Sequence, residues 1–156
     1  MRSFSVLLLS CATLILGLTG CGGGGRSAAG LKLVPVSGTV TLDDKPAPDV
    51  SVMFFPLGSA PGLTYYGNTD QNGRYELVAG VGKTGSKGAP AGEYKVTCSK
   101  FVMPDGSLFR SNGNESPEMA GAKELLPPRY SSQMQTELKA TVPAGGGPCN
   151  FDLKSK

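Results

Sequence analysis

Short runs with an apolar residue at every second position recur along the chain, separated by Gly, Pro, Asn and Asp. A period of two places alternate side chains on one face, so the pattern predicts β-strands with one buried side. No window carries the three- and four-residue apolar spacing of a packed helix. Residues 36–42 direct Val36, Val40 and Leu42 to one face, and Asp43-Asp44-Lys45-Pro46 turns the chain. Residues 50–55 set Val50, Val52 and Phe54 opposite Met53 and Phe55.

A third strand, 63–69, is expected to pass through Asp70-Gln71-Asn72-Gly73 into a return strand at 74–79. There Asn-Gly would supply the positive φ angles of a tight hairpin, and Tyr75, Leu77 and Ala79 share a face. In residues 92–98, Tyr94, Val96 and Cys98 point one way. Residues 136–142 and 149–153 are expected to form a last hairpin across Pro143-Ala144-Gly145-Gly146-Gly147-Pro148. Seven short strands of this kind suit an all-β antiparallel sandwich. Residues 101–135 break the pattern and read as a long loop, with a short helix expected within 116–126 that Pro127-Pro128 ends.

The first twenty residues differ in kind. Met1-Arg2 is a short basic start, residues 4–18 are almost wholly apolar, and Leu18-Thr19-Gly20-Cys21 follows. This is the layout of a secretory signal, and the run is shorter than the about 20 apolar residues of a membrane span. The four residues ending at Cys21 resemble a bacterial lipobox. That resemblance implies a thioether-linked diacylglycerol on Cys21, cleavage before it, and acylation of the new amine. Each buried methylene is worth about 0.8 kcal/mol, and two or more chains hold a protein stably on its membrane. Gly22 is not the Asp that retains such proteins at the inner membrane, which points to the outer membrane. Residues 21–31 then read as the lipidated Cys and a Gly-rich tether, about 15 to 18 Å in mean extension, and 32–156 as one domain.

Composition adds mainly exclusions. The net charge is +3 and one of the basic residues, Arg2, would leave with the signal. The remaining Lys and Arg are interspersed with Gly, Ser and apolar residues, so no nucleic-acid footprint is expected. With no His, acyl-transfer triads of the usual kind and most transition-metal sites have no residues to build on. Gly80-Val81-Gly82-Lys83-Thr84-Gly85 has the letters of a dinucleotide fingerprint without the helix it must open, so no nucleotide is expected. Asp70-Gln71-Asn72-Gly73 could begin a calcium loop, but Arg74 and Val81 fall on ligand positions, so no metal is expected. No cofactor is called for.

Four blocks resemble the carboxypeptidase regulatory-like domains, which are transthyretin-like (prealbumin-like) sandwiches, and in particular short bacterial lipoproteins built from one such domain. They are Val36-Ser37-Gly38-Thr39-Val40 with Lys45-Pro46, Asn68-Thr69-Asp70-Gln71-Asn72-Gly73-Arg74-Tyr75, Pro90-Ala91-Gly92-Glu93-Tyr94-Lys95-Val96, and Leu125-Leu126-Pro127-Pro128-Arg129-Tyr130. Asp44 and Asp49 stand where relatives of this type often carry Gly. The resemblance implies a seven-stranded Greek-key β-sandwich and no catalytic residues. The expected role is a structural or protein-interaction module of the cell envelope, with an unknown envelope protein as partner, the membrane bound through Cys21, and residues 101–135 as the contact surface. Phe109, Arg129 and Tyr130 are its candidate contact residues. A carbohydrate-binding module, using Tyr65, Tyr66, Phe109 or Tyr130, is the second expectation. Cys98 and Cys149 fall on inward faces and are expected either to form a disulfide, worth roughly 4 kcal/mol by loop closure, or to stay buried thiols.

Overall fold

The computed structural model describes residues 32–58, 63–80, 85–110 and 115–156. In chain order the strands are β1 (Leu33–Val34), β2 (Val36–Leu42), β3 (Lys45–Pro46), β4 (Ser51–Pro56), β5 (Tyr65–Asn68), β6 (Arg74–Glu76) and β7 (Val78–Ala79). There follow β8 (Ala89–Pro90), β9 (Gly92–Ser99), β10 (Phe101–Val102), β11 (Lys123–Glu124), helix α1 (Pro128–Ser131), β12 (Lys139–Val142), β13 (Gly147–Pro148) and β14 (Phe151–Leu153). The described residues are mostly β with almost no helix, as the alternation predicts.

Two five-stranded sheets enclose one core. The first has the order β12-β9-β4-β5-β7, antiparallel throughout. The second is built on β2, with β13 and β14 along one side and β3 and β6 along the other. Alternation explains what faces inward: Val50, Val52 and Phe54, then Tyr94, Val96 and Cys98, and Tyr75, Leu77 and Ala79 are all buried. Phe54 from the first sheet meets Phe151 edge-on at 6.1 Å from the second, and Tyr75 stacks on Phe151 at 6.4 Å. Aromatic pairs at these separations add to the free energy of area burial.

The turns follow local chemistry. Asp43 and Asp44 have φ of 51° and 65°, and Leu42 pairs with Lys45, so β2 and β3 are joined by a two-residue turn with both central residues left-handed. Asp tolerates that region better than most residues, which is why no Gly is needed there. At Asp70 to Gly73 only Gly73 is left-handed, with φ of 71°. Gly73 N–H donates to the Asp70 carbonyl, and the Asp70 carboxylate accepts the N–H groups of Asn72 and Arg74 at 2.8 and 2.9 Å.

Three expectations are corrected. The hairpin at 63–79 splits: β6 leaves β5 and pairs with β2, and only past Leu77 does the chain return to β5 as β7. Residues 136–142 and 149–153 do not pair with each other. β12 joins β9 in the first sheet, while β13 and β14 lie parallel to β2 in the second, so the molecule is not wholly antiparallel. Leu153 is fully buried and Phe151 nearly so, and parallel entry between the sheets buries both. The third concerns 101–135. Its described part holds β10 paired with β11, a hydrogen-bonded turn at 116–122, and a helix that begins at Pro128 instead of ending there. Proline suits the first helical position because its missing N–H would have no partner there.

The two ends of the molecule differ. Leu33 pairs with Pro90 just before β9 begins, whereas β10 and β11 lie just past its end. Eight extended residues separate those points by roughly 25 Å.

Candidate functional site

The outer face of the second sheet is a grid of polar residues set by register. Ser37 lies between Glu76 and Pro148, Thr39 between Arg74 and Asn150, and Thr41 between Pro46 and Asp152. Alternation puts these side chains outward because Val36, Gly38 and Val40 face the core.

One ladder bond on this face is replaced. In a regular parallel pair, Cys149 N–H would donate to Ser37 and the Cys149 carbonyl would accept from Thr39. The first bond is present at 2.8 Å. Thr39 N–H donates instead to Asn150 Oδ1 at 3.0 Å, joined there by the Thr39 hydroxyl at 3.1 Å. The Cys149 carbonyl turns inward and accepts the Tyr75 hydroxyl at 2.6 Å. Every group stays satisfied, and the Asn150 amide is held in one orientation.

Above this grid lies an open groove of about 530 Å³. Ser37, Gly38 and Thr39 form its floor, Arg74 and Glu76 stand on one side with Asn68 and Asp70 beyond, and Pro148 and Asn150 stand on the other. Glu76 pairs with Lys87 at 3.0 Å, both exposed. Among the described residues the Arg74 side chain makes no ion pair or hydrogen bond. These positions read in the sequence only as the solvated face of their strands; the signal was present as polar residues alternating with Val36, Val40 and Tyr75.

The residues singled out from the sequence are distributed elsewhere. Cys21 and the signal segment lie outside the described residues, as do positions 81–84 of the Gly-rich motif. Cys98 and Cys149 are free thiols, the first buried and the second half-buried. Burial, with the Glu124 charge adding to it, pushes the Cys98 thiol up to about 12, and burial raises Cys149 as well. Tyr65 is buried and Tyr66 faces outward, half-buried.

Phe109, Arg129 and Tyr130 each make contacts within the domain. Phe109 packs edge-on against Phe101 at 6.5 Å. Arg129 lies over the Tyr130 ring at 5.0 Å and donates to the Lys154 carbonyl at 2.8 Å. Tyr130 packs against the core, and its hydroxyl accepts Lys154 N–H at 3.2 Å. The other side of that tail is held by the β2–β3 turn: Ser155 N–H donates to Asp43 at 3.0 Å and Lys154 Nζ pairs with Asp44 at 2.7 Å. The hydrogen bonds from Ser155 lower the Asp43 pKa, and the bond to Asp44 raises that of Lys154.

Glu124, at the base of the 101–126 region, closes the join to β9. Its Oε1 accepts the N–H groups of Lys100 and Leu126 at 2.8 and 2.9 Å, while its buried Oε2 has no hydrogen-bond partner among the described residues. Among the described residues no group of three or more His, Cys, Asp or Glu could hold a metal ion, and no helix is long and apolar enough to cross a membrane.

No family model, curated protein or solved structure matches the chain.

Proposed function

We propose that the protein is a cell-envelope lipoprotein, acylated at Cys21, whose β domain serves as a non-enzymatic structural or protein-interaction module close to the membrane. The observation that carries this reading is Leu18-Thr19-Gly20-Cys21 closing an apolar segment and followed by a Gly-rich stretch. In the same reading the domain is a transthyretin-like Greek-key sandwich of seven principal strands. Its support is two sheets around one core together with the four sequence blocks that resemble such domains.

The geometry adds a position. The described residues start at Lys32, next to the Leu33–Pro90 pair, and β10 and β11 lie at the far end of β9. A tether through residues 22–31 would join the domain at the opposite end of β9 from β10 and β11, so these two strands do not lie at the point of attachment. Met119 and Leu125, 78% and 56% exposed, give the 101–126 region apolar surface to offer.

The test is the mass of the mature protein from a bacterial host, with and without Cys21→Ala. The expected result is a chain beginning at Cys21 and carrying acyl groups, which Cys21→Ala abolishes. An unmodified mature chain, unchanged by the substitution, would remove the envelope premise. Partner capture from envelope extract, lost on deleting 101–126, is the expected second result.

A further inference from the structure

We propose that the groove on the outer face of the second sheet binds a neutral, polyhydroxylated ligand, an oligosaccharide chain, held by planar polar side chains on either side of β2. This site does not depend on the lipid anchor. It also uses none of Tyr65, Tyr66, Phe109 and Tyr130, the residues from which the sequence would build a sugar platform.

Two of the polar groups that face the groove, those of Asn150 and Asp70, are held by their neighbours before any ligand arrives. Asn150 Oδ1 is occupied by both Thr39 donors, so its NH₂ is turned away from β2 as a fixed pair of donors. Asp70 Oδ1 holds two turn N–H groups, which fixes the carboxylate and leaves Oδ2 to accept. Glu76 Oε2 holds Lys87, leaving Oε1. Arg74 brings five N–H donors in a rigid fork. Side chains already held by their neighbours lose little further freedom on binding.

Chemistry selects the ligand class. The volume, about 530 Å³, is that of a small-molecule site, but such sites are lined mostly by apolar side chains, whereas here seven of the ten lining residues are charged or carry an aliphatic hydroxyl or an amide, beside Gly38, Tyr75 and Pro148. An anion drawn to Arg74 would meet Asp70 and Glu76, and a cation drawn to those carboxylates would meet Arg74 and Lys87. Adjacent hydroxyls, each donor and acceptor, match a wall that alternates the two. Arg74 and Asn150 flank Thr39 on neighbouring strands, so their backbones stand about 10 Å apart, a span a disaccharide unit bridges. Because the groove is open, a chain of sugars can lie along it.

Amide chemical-shift titration of the full mature protein with maltotetraose, cellotetraose and an N-acetylglucosamine tetramer tests this. Saturable shifts at Ser37, Thr39, Arg74 and Asn150 with at least one probe are expected, weakened roughly tenfold by Arg74→Ala. Arg74 is exposed and its backbone bonds do not involve the side chain, so the variant should fold. No shifts with any probe at about 10 mM, shifts centred on Tyr66 or Tyr130, or an affinity unchanged by Arg74→Ala would each overturn the assignment.

Discussion

The ring of Tyr75 lies across Gly38 inside the core and hands its hydroxyl to the Cys149 carbonyl, so one side chain spans all three strands at the centre of the second sheet. A Cβ at residue 38 would overlap that carbonyl oxygen and stand 2.9 Å from the Tyr75 ring. Gly38→Ala is therefore expected to cost about 3 kcal/mol, as overpacking of a rigid backbone contact does. Tyr75→Phe strands the carbonyl and should cost about 1 to 3 kcal/mol. Urea unfolding checks both, and a Gly38→Ala protein as stable as the parent would refute the close approach.

Two buried hydroxyls should respond in opposite senses. Thr69 donates to the Ala47 carbonyl at 2.7 Å and accepts Val50 N–H at 2.8 Å, tying the 47–50 segment to the end of β5. Thr69→Val leaves both groups without a partner, at a cost of roughly 2 to 3 kcal/mol. Tyr65 is buried too, yet its hydroxyl has no hydrogen-bond partner among the described residues. Tyr65→Phe removes a desolvated polar atom and is expected to be neutral or to stabilise by up to about 1 kcal/mol. Denaturation midpoints ranking Tyr65→Phe below Thr69→Val would contradict this.

Acid should loosen the C-terminal tail. The Asp43 pKa is lowered in the folded protein by its bonds from Ser155, so its contribution is fully present above the ordinary carboxylate value, about 3.9, and is lost as pH falls through the lowered value. Asn tolerates the left-handed backbone at residue 43, which makes Asp43→Asn a fair comparison. The stability gap between parent and variant should be constant near pH 7 and close below about pH 4. A gap that widens on acidification would show that the contact with Ser155 does not act through the charge.

Thiol chemistry follows burial. Because Cys98 is buried and its thiol is pushed up to about 12, it should resist iodoacetamide at pH 8 until the protein unfolds. Cys149, half-buried, should react slowly in the native state. Peptide mapping under non-reducing conditions reads both sites, and a linked Cys98–Cys149 peptide would show a disulfide in place of two thiols.

Much of this was legible in the residues, for local reasons. Residues 36–42 form β2 with the expected inward face, and the same holds for 50–55 and 92–98, because a period of two is imposed by strand geometry wherever one face is buried. The Asp43-Asp44 and Asp70-to-Gly73 turns depend on four residues each, so composition suffices to place them. The 101–126 region was opaque because the ladder in its described part is two residues long, too short to leave a period, and because its join to the end of β9 rests on the Glu124 side chain together with the Leu125 N–H bond to the Lys100 carbonyl.

What the sequence determined by itself was which side of each strand faces the core, where the chain turns, and an N-terminal segment whose last residue, Cys21, has a chemistry of its own. Only the tertiary structure decided which strands are neighbours. Pairing β13 and β14 with β2 brings together residues 111 positions apart, and nothing local at Thr39 or Asn150 marks them as partners. The physical reason is that backbone hydrogen bonds are alike at every position, so register is chosen by how well Phe151, Leu153 and Tyr75 fill the space between the sheets. The outward groove is a by-product of that choice, and so could be seen only once the strands lay side by side.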